Sequence, residues 1–438
     1  MPISAFSTDL YQLTMTAGYF TREMLPVRAT FELFVRRLPR NRSFLVAAGL
    51  DQALEYLEAL MFSEEDIAWL REQPAFRRLP PAFFDYLRAF RFSGDVWAMR
   101  EGTAFFPMEP VLRVTAPIAE AQLVETALLA IITFQTTIAS KSTRIVHAAA
   151  ERPVMEFGAR RAHGLDAGLF AARAAYLAGC SATSFVEAGR RFGIPLSGTM
   201  AHSWVLAAAS EAEAFTAYAE LFEQQTVLLI DTFDVNAATR ILIDAGLRPQ
   251  AVRIDSGDLA AASRSVRASL DSAGLTTTRI IVSGDLDEWK IADLVAAAAP
   301  IDTFAVGTAL STSDDAPALG GVYKLVQLEE RGVVRQVMKR SEGKETWPGA
   351  KQVWRSEQGG TATGDLIALD EESPVSDAKP LLEAVMRNGA RTTPHPTLEE
   401  ARQHCRQGSE ALPPRLRGLA ADATYSIERS RALATLAR

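Results

Sequence analysis

The sequence predicts an α/β protein whose middle part is a barrel, or else a doubly wound sheet, of parallel strands. Three observations carry that prediction. First, short apolar runs recur from about residue 153: PVMEFGAR (153–160), IPLSGT (194–199), TVLLIDTFD (226–234), AVRIDSGD (251–258), RIIVSGD (279–285) and DTFAVGT (302–308). Helical sequence separates them, which is the alternation of a βα fold. Second, the runs are almost continuously apolar, as in a parallel sheet covered on both faces. Third, the polar residues gather at their C-terminal ends: Arg160, Thr199, Asp231, Asp234, Asp255, Ser256, Asp258, Ser283, Asp285 and Thr308. A barrel brings all such ends to one face, where active sites are built. An open sheet joins only those beside its switch point, so the pattern favours the barrel.

The flanking elements follow in order. Residues 1 to about 90 read mainly as helix, with apolar residues at helical spacing in LDQALEYLEAL (50–60). Ser63 with Asp66 reads as a helix cap, and Glu64 and Glu65 suit the positive end of the helix dipole. Residues 92–118 mix β-formers with Gly and Pro, giving short strands and turns. A helix is expected at 118–133 and a second at 138–149. Beyond about 318, GGVYKLVQLEERGVVRQVMKRS reads as an antiparallel strand pair, and TWPGAKQVWR as a turn and a strand. The tail LEEARQHCRQGSEALPPRLRGL is helical and carries no evident chemistry. The expected domains are 1–118 (mixed α/β), 119–318 (barrel) and 319–438 (strands and helices completing the first).

Composition narrows the function. With 438 residues, 48% hydrophobic and 23% charged, the chain can bury a large core without staples. A net charge of −7 argues against a nucleic-acid binder. The start lacks the pattern of a secretory signal, and no apolar run is long enough to span a bilayer. Two cysteines far apart, Cys180 and Cys405, suggest a reducing compartment, so a cytoplasmic location is expected.

Ser256-Gly257-Asp258 and Ser283-Gly284-Asp285 follow apolar runs, and Gly307-Thr308 follows the next. Glycine lets backbone N–H groups approach a phosphate, and aspartates can hold Mg²⁺ together with substrate phosphates. Turn chemistry explains one SGD; two at successive strand ends, with GT next, favour phosphate binding. His202, just past a strand end among small residues, suits an acid, base or nucleophile, or a structural role capping a helix. His147, His163, His395 and His404 lack a comparable setting. Arg160, Arg161 and Arg253 are placed either to bind carboxylate or phosphate or to pair with Glu156 or Asp255. Tyr11, in the first turn of a helix capped by Thr8 or Asp9, reads as a packing residue.

The ordered set STDLYQLTM, FELFVRRLP, EFGARRAHG, SGTMAHSWV, LLIDTFDV, VRIDSGDL, IIVSGDLDE, FAVGTAL, GGVYKLV and PGAKQVWR, from residue 7 to about 355, resembles nicotinate phosphoribosyltransferases. The last 80 residues or so carry little of the resemblance. It implies the type II phosphoribosyltransferase fold, an irregular α/β barrel with a smaller mixed domain built from both chain ends. It also implies a homodimer with shared active sites, and synthesis of nicotinate mononucleotide from nicotinate and 5-phosphoribosyl 1-diphosphate with ATP and Mg²⁺. Tyr11 resembles the tyrosine that a second subunit lays over the pyridine ring, and Phe157 the aromatic on the other face. Arg160 and Arg253 resemble arginines near the nicotinate carboxylate and the phosphates, and Thr199 a nicotinate contact. Asp255, Ser256, Gly284, Asp285, Gly307 and Thr308 fall where the phosphoribosyl group binds, with Asp255 and Asp285 toward Mg²⁺. His202 resembles the histidine that ATP phosphorylates. Met200 stands where nicotinamide enzymes carry an aspartate, which favours nicotinate. Quinolinate enzymes of the same fold lack the GTMAHS histidine, and a silent paralogue would have no reason to keep His202 with both SGD turns.

Overall fold

The computed structural model describes residues 4–341, 346–373, 377–392, 394, 396–420 and 423–437. His395 lies outside them. The described residues form two compact units, 1–137 with 318–438, and 138–317.

In the first unit a seven-stranded sheet runs Val333–Gln336, Gly321–Glu330, Arg28–Val35, Pro110–Pro117, Asp95–Met99, Leu382–Arg387, Ala390–Arg391. All its pairings are antiparallel. The expected hairpin after 318 is present: Arg331 and Gly332 both take positive φ, 52° and 78°, as a two-residue turn between twisted strands requires. The tail contributes Leu382, Met386 and Leu433 to the core of this same unit.

The second unit carries a six-stranded parallel sheet. Its strands are Val154–Glu156, Ala182–Thr183, Val227–Leu229, Ala251–Ile254, Arg279–Val282 and Thr303–Val306. From Val227–Leu229 onward each strand pairs with the next in sequence, and the last pairs back onto Val154–Glu156. That return is the connectivity of a barrel. One seam, between Ala182–Thr183 and Val227–Leu229, has no strand pairing among the described residues, so the barrel is irregular.

Two expectations need correction. IPLSGT is not a strand: Leu196 makes a single bridge to Thr183, and the strand at that place is Ala182–Thr183. Pro195 and Gly198 flank the bridge and remove a ladder donor and a side chain. The helices expected at 118–133 and 138–149 are instead a short Ile118–Leu123 and one continuous Glu125–Ala148. The Ser/Thr-rich stretch lowers helix propensity, yet Thr133, Thr137, Ser142 and Thr143 return their hydroxyls to the carbonyl one turn earlier, at 2.7 to 3.0 Å. Their polar groups are thereby satisfied inside a buried helix. The division between the units falls within this helix.

Candidate active site

Side chains alternate across a strand, so every second residue points into the barrel. Val227, Ala251, Ile281 and Ala305 form one inward layer with Met155 and Phe157 against it. Two or four positions further along each strand come Asp231, Arg253, Asp255, Ser283 and Gly307. Small and apolar residues fill the floor, and the polar residues stand above it.

Arg253 organises the group. Its Nε donates to Ser283 Oγ at 2.8 Å, one terminal nitrogen to Thr199 Oγ1 at 3.0 Å, and the other to Asp255 Oδ1 at 2.8 Å. The guanidinium also lies 5.6 Å from the centre of the Phe157 ring, within cation–π reach. Ser283 gives its hydroxyl proton to the same Asp255 oxygen. Burial favours a neutral Asp255, but the Ser283 hydroxyl, the Arg253 charge and His202 outweigh it and hold the pKa below the usual value. Of the two alternatives the sequence left for Arg253, the structure shows the pairing with Asp255.

His202 is the first residue of the helix His202–Ala207; the cap position is Ala201, so His202 is not a helix cap. Its Nδ1 lies 3.2 Å from Thr232 Oγ1 and its Nε2 3.8 Å from Asp255 Oδ2. Asp231 accepts from the Asp255 backbone N–H at 2.9 Å and from the Ser256 hydroxyl at 2.7 Å, both on Oδ2. Its other oxygen is buried without a hydrogen-bond partner.

The glycine turns are tight. Gly284 has φ +97°, and a Cβ there would sit 2.0 Å from the Asp255 carbonyl oxygen. Asp285 follows at φ 47°, exposed, with its carbonyl accepting from Lys290 Nζ at 2.7 Å. Gly158, after Phe157, packs against Ser311 and the Gly307 carbonyl so closely that a Cβ would meet them at 2.4 and 2.7 Å. Glu156, buried with its pKa raised by that burial, accepts from Thr183 Oγ1 at 2.6 Å and from the Gly158 N–H, which fixes the turn. Thr308 is exposed as the first residue of Thr308–Thr312.

The structure therefore gathers Phe157, Thr199, His202, Arg253, Asp255 and Ser256, with Gly284 against Asp255 and Gly307 against Phe157. Arg160 lies on the 3-10 turn Ala159–Arg161, exposed. Tyr11 belongs to the other unit, on Leu10–Thr21, 46% exposed, with its hydroxyl donating to Glu125 at 3.1 Å. Not every strand-end polar residue belongs to the site: Asp234 and Asp258 cap the helices that follow them. Ser283, expected as part of a phosphate turn, bonds Arg253 and Asp255, and Asp231 and Thr232 have site contacts to which the sequence gave no role. Their signal was the strand-end position alone, which the two capping aspartates share.

For Mg²⁺, no group of three or more metal-binding side chains stands among the described residues. Asp231 leaves one oxygen without a hydrogen-bond partner, Asp255 Oδ2 faces His202, and the Asp285 side chain is exposed. Neither Cys180 nor Cys405 forms a disulfide, and both are buried. No helix among the described residues is long and apolar enough to cross a membrane.

Comparison with known proteins covers most of the chain. Residues 6–133 match the nicotinate phosphoribosyltransferase N-terminal domain, 153–352 the nicotinate phosphoribosyltransferase family, and 375–437 the family's C-terminal domain. The last match corrects the expectation that the tail carries little of the resemblance. The nicotinate phosphoribosyltransferase pncB2 of Mycobacterium tuberculosis is 47% identical over 431 residues, covering 97% of this chain and 90% of that one. The Bacillus subtilis nicotinate phosphoribosyltransferase is 43% identical over 385 residues, covering 85% and 78%. The crystal structure of human nicotinic acid phosphoribosyltransferase superposes with a TM-score of 0.85 at 29% identity, covering 98% of both chains. A Pyrococcus furiosus nicotinate-nucleotide pyrophosphorylase superposes at 0.74 with 26% identity, covering 93% and 95%. The irregular barrel and its companion unit are thus the type II phosphoribosyltransferase fold, and the chain belongs to the nicotinate phosphoribosyltransferase family.

Proposed function

We infer that the chain makes nicotinate mononucleotide and diphosphate from nicotinate and 5-phosphoribosyl 1-diphosphate, coupled to ATP hydrolysis, in the cytoplasmic salvage of nicotinate toward NAD. Beyond family membership, the observation that carries this reading is the connected set Thr199–Arg253–Ser283–Asp255, with His202 3.8 Å from the same aspartate. This set supports reading Arg253 as the fork that binds the anion and His202 as the phosphoryl acceptor.

In the transfer, the pyridine nitrogen bonds to C1 of the ribose as the C1–O bond to diphosphate breaks, through a loose, cationic ribosyl transition state. Arg253 is positioned to exchange its internal partners for substrate oxygens and to stabilise charge on the leaving diphosphate. Phe157 offers one face for the pyridine ring; Tyr11, from a partner subunit of a homodimer, offers the other. Arg160 and Thr199 meet the nicotinate carboxylate. Gly284, Asp285, Gly307 and Thr308 present backbone donors and a hydroxyl to phosphate. Asp255 and Asp285 would hold Mg²⁺, which would supply charge neutralisation on the diphosphate.

For the coupling, an imidazole nitrogen of His202 takes the γ-phosphoryl group of ATP, ADP leaves, and water later removes the group as phosphate. Thr232 at Nδ1 fixes the ring's orientation. The phosphoryl group adds about −1.5 to −2 charges beside an Asp255 that is already ionised, which draws on Arg253 and reorganises the diphosphate site.

The test is product analysis by mass, with Mg²⁺, 5-phosphoribosyl 1-diphosphate and either nicotinate or nicotinamide, with and without ATP. Nicotinate mononucleotide with ATP stimulation is expected; no product from either base would sink the reading. His202→Ala should keep a basal rate and lose the stimulation, together with its ATPase activity. Met200 is buried, and its carbonyl accepts from Thr199 Oγ1 at 2.9 Å. Met200→Asp should cut kcat/KM for nicotinate by about tenfold or more, because a carboxylate there repels another carboxylate in a water-poor site. Full nicotinate activity in that variant would remove Met200 from substrate choice.

A further inference from the structure

An ion cluster centred on the buried Lys141 joins the helix after the Gly284-Asp285 turn to the segment after the short helix that Gly307-Thr308 begins. Lys141, on Glu125–Ala148 and 2% exposed, places its ammonium 2.6 Å from Glu288 Oε2, 3.0 Å from Asp315 Oδ1 and 3.4 Å from Asp314 Oδ1. Arg144, nearly one turn further along the helix, donates to Glu288 Oε1 at 3.0 Å. Glu288 is fully buried, and despite that burial its cationic neighbours hold its pKa below the usual value.

The chain positions give this cluster its meaning. Glu288 opens the helix Glu288–Ala296, three residues after Asp285. Asp314 and Asp315 follow the one-turn helix Thr308–Thr312, which begins at the Gly307-Thr308 turn. One ammonium therefore ties the exit of one turn and the far end of the next short helix to a single long helix. Burying these charges is costly, and apolar side chains of similar shape give equal or greater stability in many proteins. What such replacements lose is direction: a charge that must sit within 3 Å of two carboxylates fixes the spacing of the segments bearing them.

We propose that Lys141, acting through Glu288 and Asp315, is a positioning residue that sets the distance between the Gly284-Asp285 and Gly307-Thr308 turns, and so the fit of the phosphoribosyl diphosphate. The inference rests on the assignment of those turns to phosphate. The turns have little slack: Gly284 lies against the Asp255 carbonyl with no room for a methyl group. A displacement of about 1 Å in such a site costs on the order of 10²-fold.

The experiment compares the full-length protein with Lys141→Met, which keeps the aliphatic stem, and Lys141→Arg, which keeps the charge. Rates are measured against 5-phosphoribosyl 1-diphosphate at saturating nicotinate and ATP, and binding of inorganic diphosphate with Mg²⁺ by calorimetry. Lys141→Met should raise both KM for that substrate and Kd for diphosphate by about tenfold or more. Its KM for nicotinate should stay within about twofold and kcat within about threefold, and Lys141→Arg should recover most of the loss. A Lys141→Met protein with a lower Tm but unchanged KM and Kd would overturn the proposal, since that is all a structural role moves. Should Lys141→Met fail to fold, Asp315→Asn leaves the Lys141–Glu288 pair intact. A rise in the same KM supports the proposal there, and an unchanged KM overturns it. Thr308→Ala separates the two levels. If it leaves that KM unchanged, the phosphate assignment itself fails; if it raises KM and Lys141→Met does not, only the positioning role falls.

Discussion

Arg253→Ala should lower kcat/KM by about 10²–10³-fold, the loss typical of removing one preorganised donor aimed at developing negative charge. The arginine contacts three side chains from three segments, Thr199, Ser283 and Asp255, and faces Phe157. Its removal does more than delete a charge. Asp255 loses the guanidinium that offsets its burial and keeps Ser283 as its main support. Arg253→Lys is the sharper test, because an ammonium keeps the charge but cannot spread donors over three partners in a plane. Steady-state kinetics on both variants should place Lys close to Ala. A lysine variant near wild type would show that charge suffices and that the fork geometry is incidental. Folded-state stability should fall less than activity, by about 1–3 kcal/mol for the groups left unpaired.

Gly284→Ala should lose activity and fold stability together. The new methyl group meets the Asp255 carbonyl oxygen at 2.0 Å, and the φ of +97° is one that alanine rarely adopts. Left-handed strain and a forced backbone shift together cost on the order of 2–4 kcal/mol. The shift falls on Asp255, whose carboxylate lies between Arg253 and His202. Thermal unfolding of the variant should show a lower Tm, and turnover should be barely detectable even well below it. Wild-type Tm with intact turnover would mean the turn relaxes at no cost, and the close approach would carry no functional weight. Gly257, the middle of the other SGD, has φ +79° but nothing within 4 Å of its Cβ position. Gly257→Ala should therefore cost strain alone, a smaller loss of about 1–2 kcal/mol. The two SGD runs look alike in sequence and differ in surroundings.

That contrast marks how far the sequence reads. The barrel strands were legible because parallel strands buried on both faces leave apolar runs that nothing else in a soluble fold demands at that spacing. The strand Ala182–Thr183 was missed because two residues carry no period, and IPLSGT was misread because an apolar start resembles a strand whether or not it finds a partner. The break expected between residues 133 and 138 is bridged by one helix, in which Thr and Ser hydroxyls return to the helix backbone.

For the site, the sequence by itself determined which residue types end each strand, and hence the expectation of a polar face carrying His202, Arg253 and Asp255. The motif order gave the resemblance, and the comparisons show the family. Tertiary structure alone decided which of those polar residues face one another. Asp231 and Asp255 converge with Ser283, whereas Asp234 and Asp258, equally polar and three residues further along the same loops, cap helices. It alone also placed Lys141, more than a hundred residues upstream, within 2.6 Å of Glu288. The physical reason is that a strand's two-residue period fixes a side chain's face. Pairing between segments distant in the chain fixes what stands opposite it, and no local pattern encodes that.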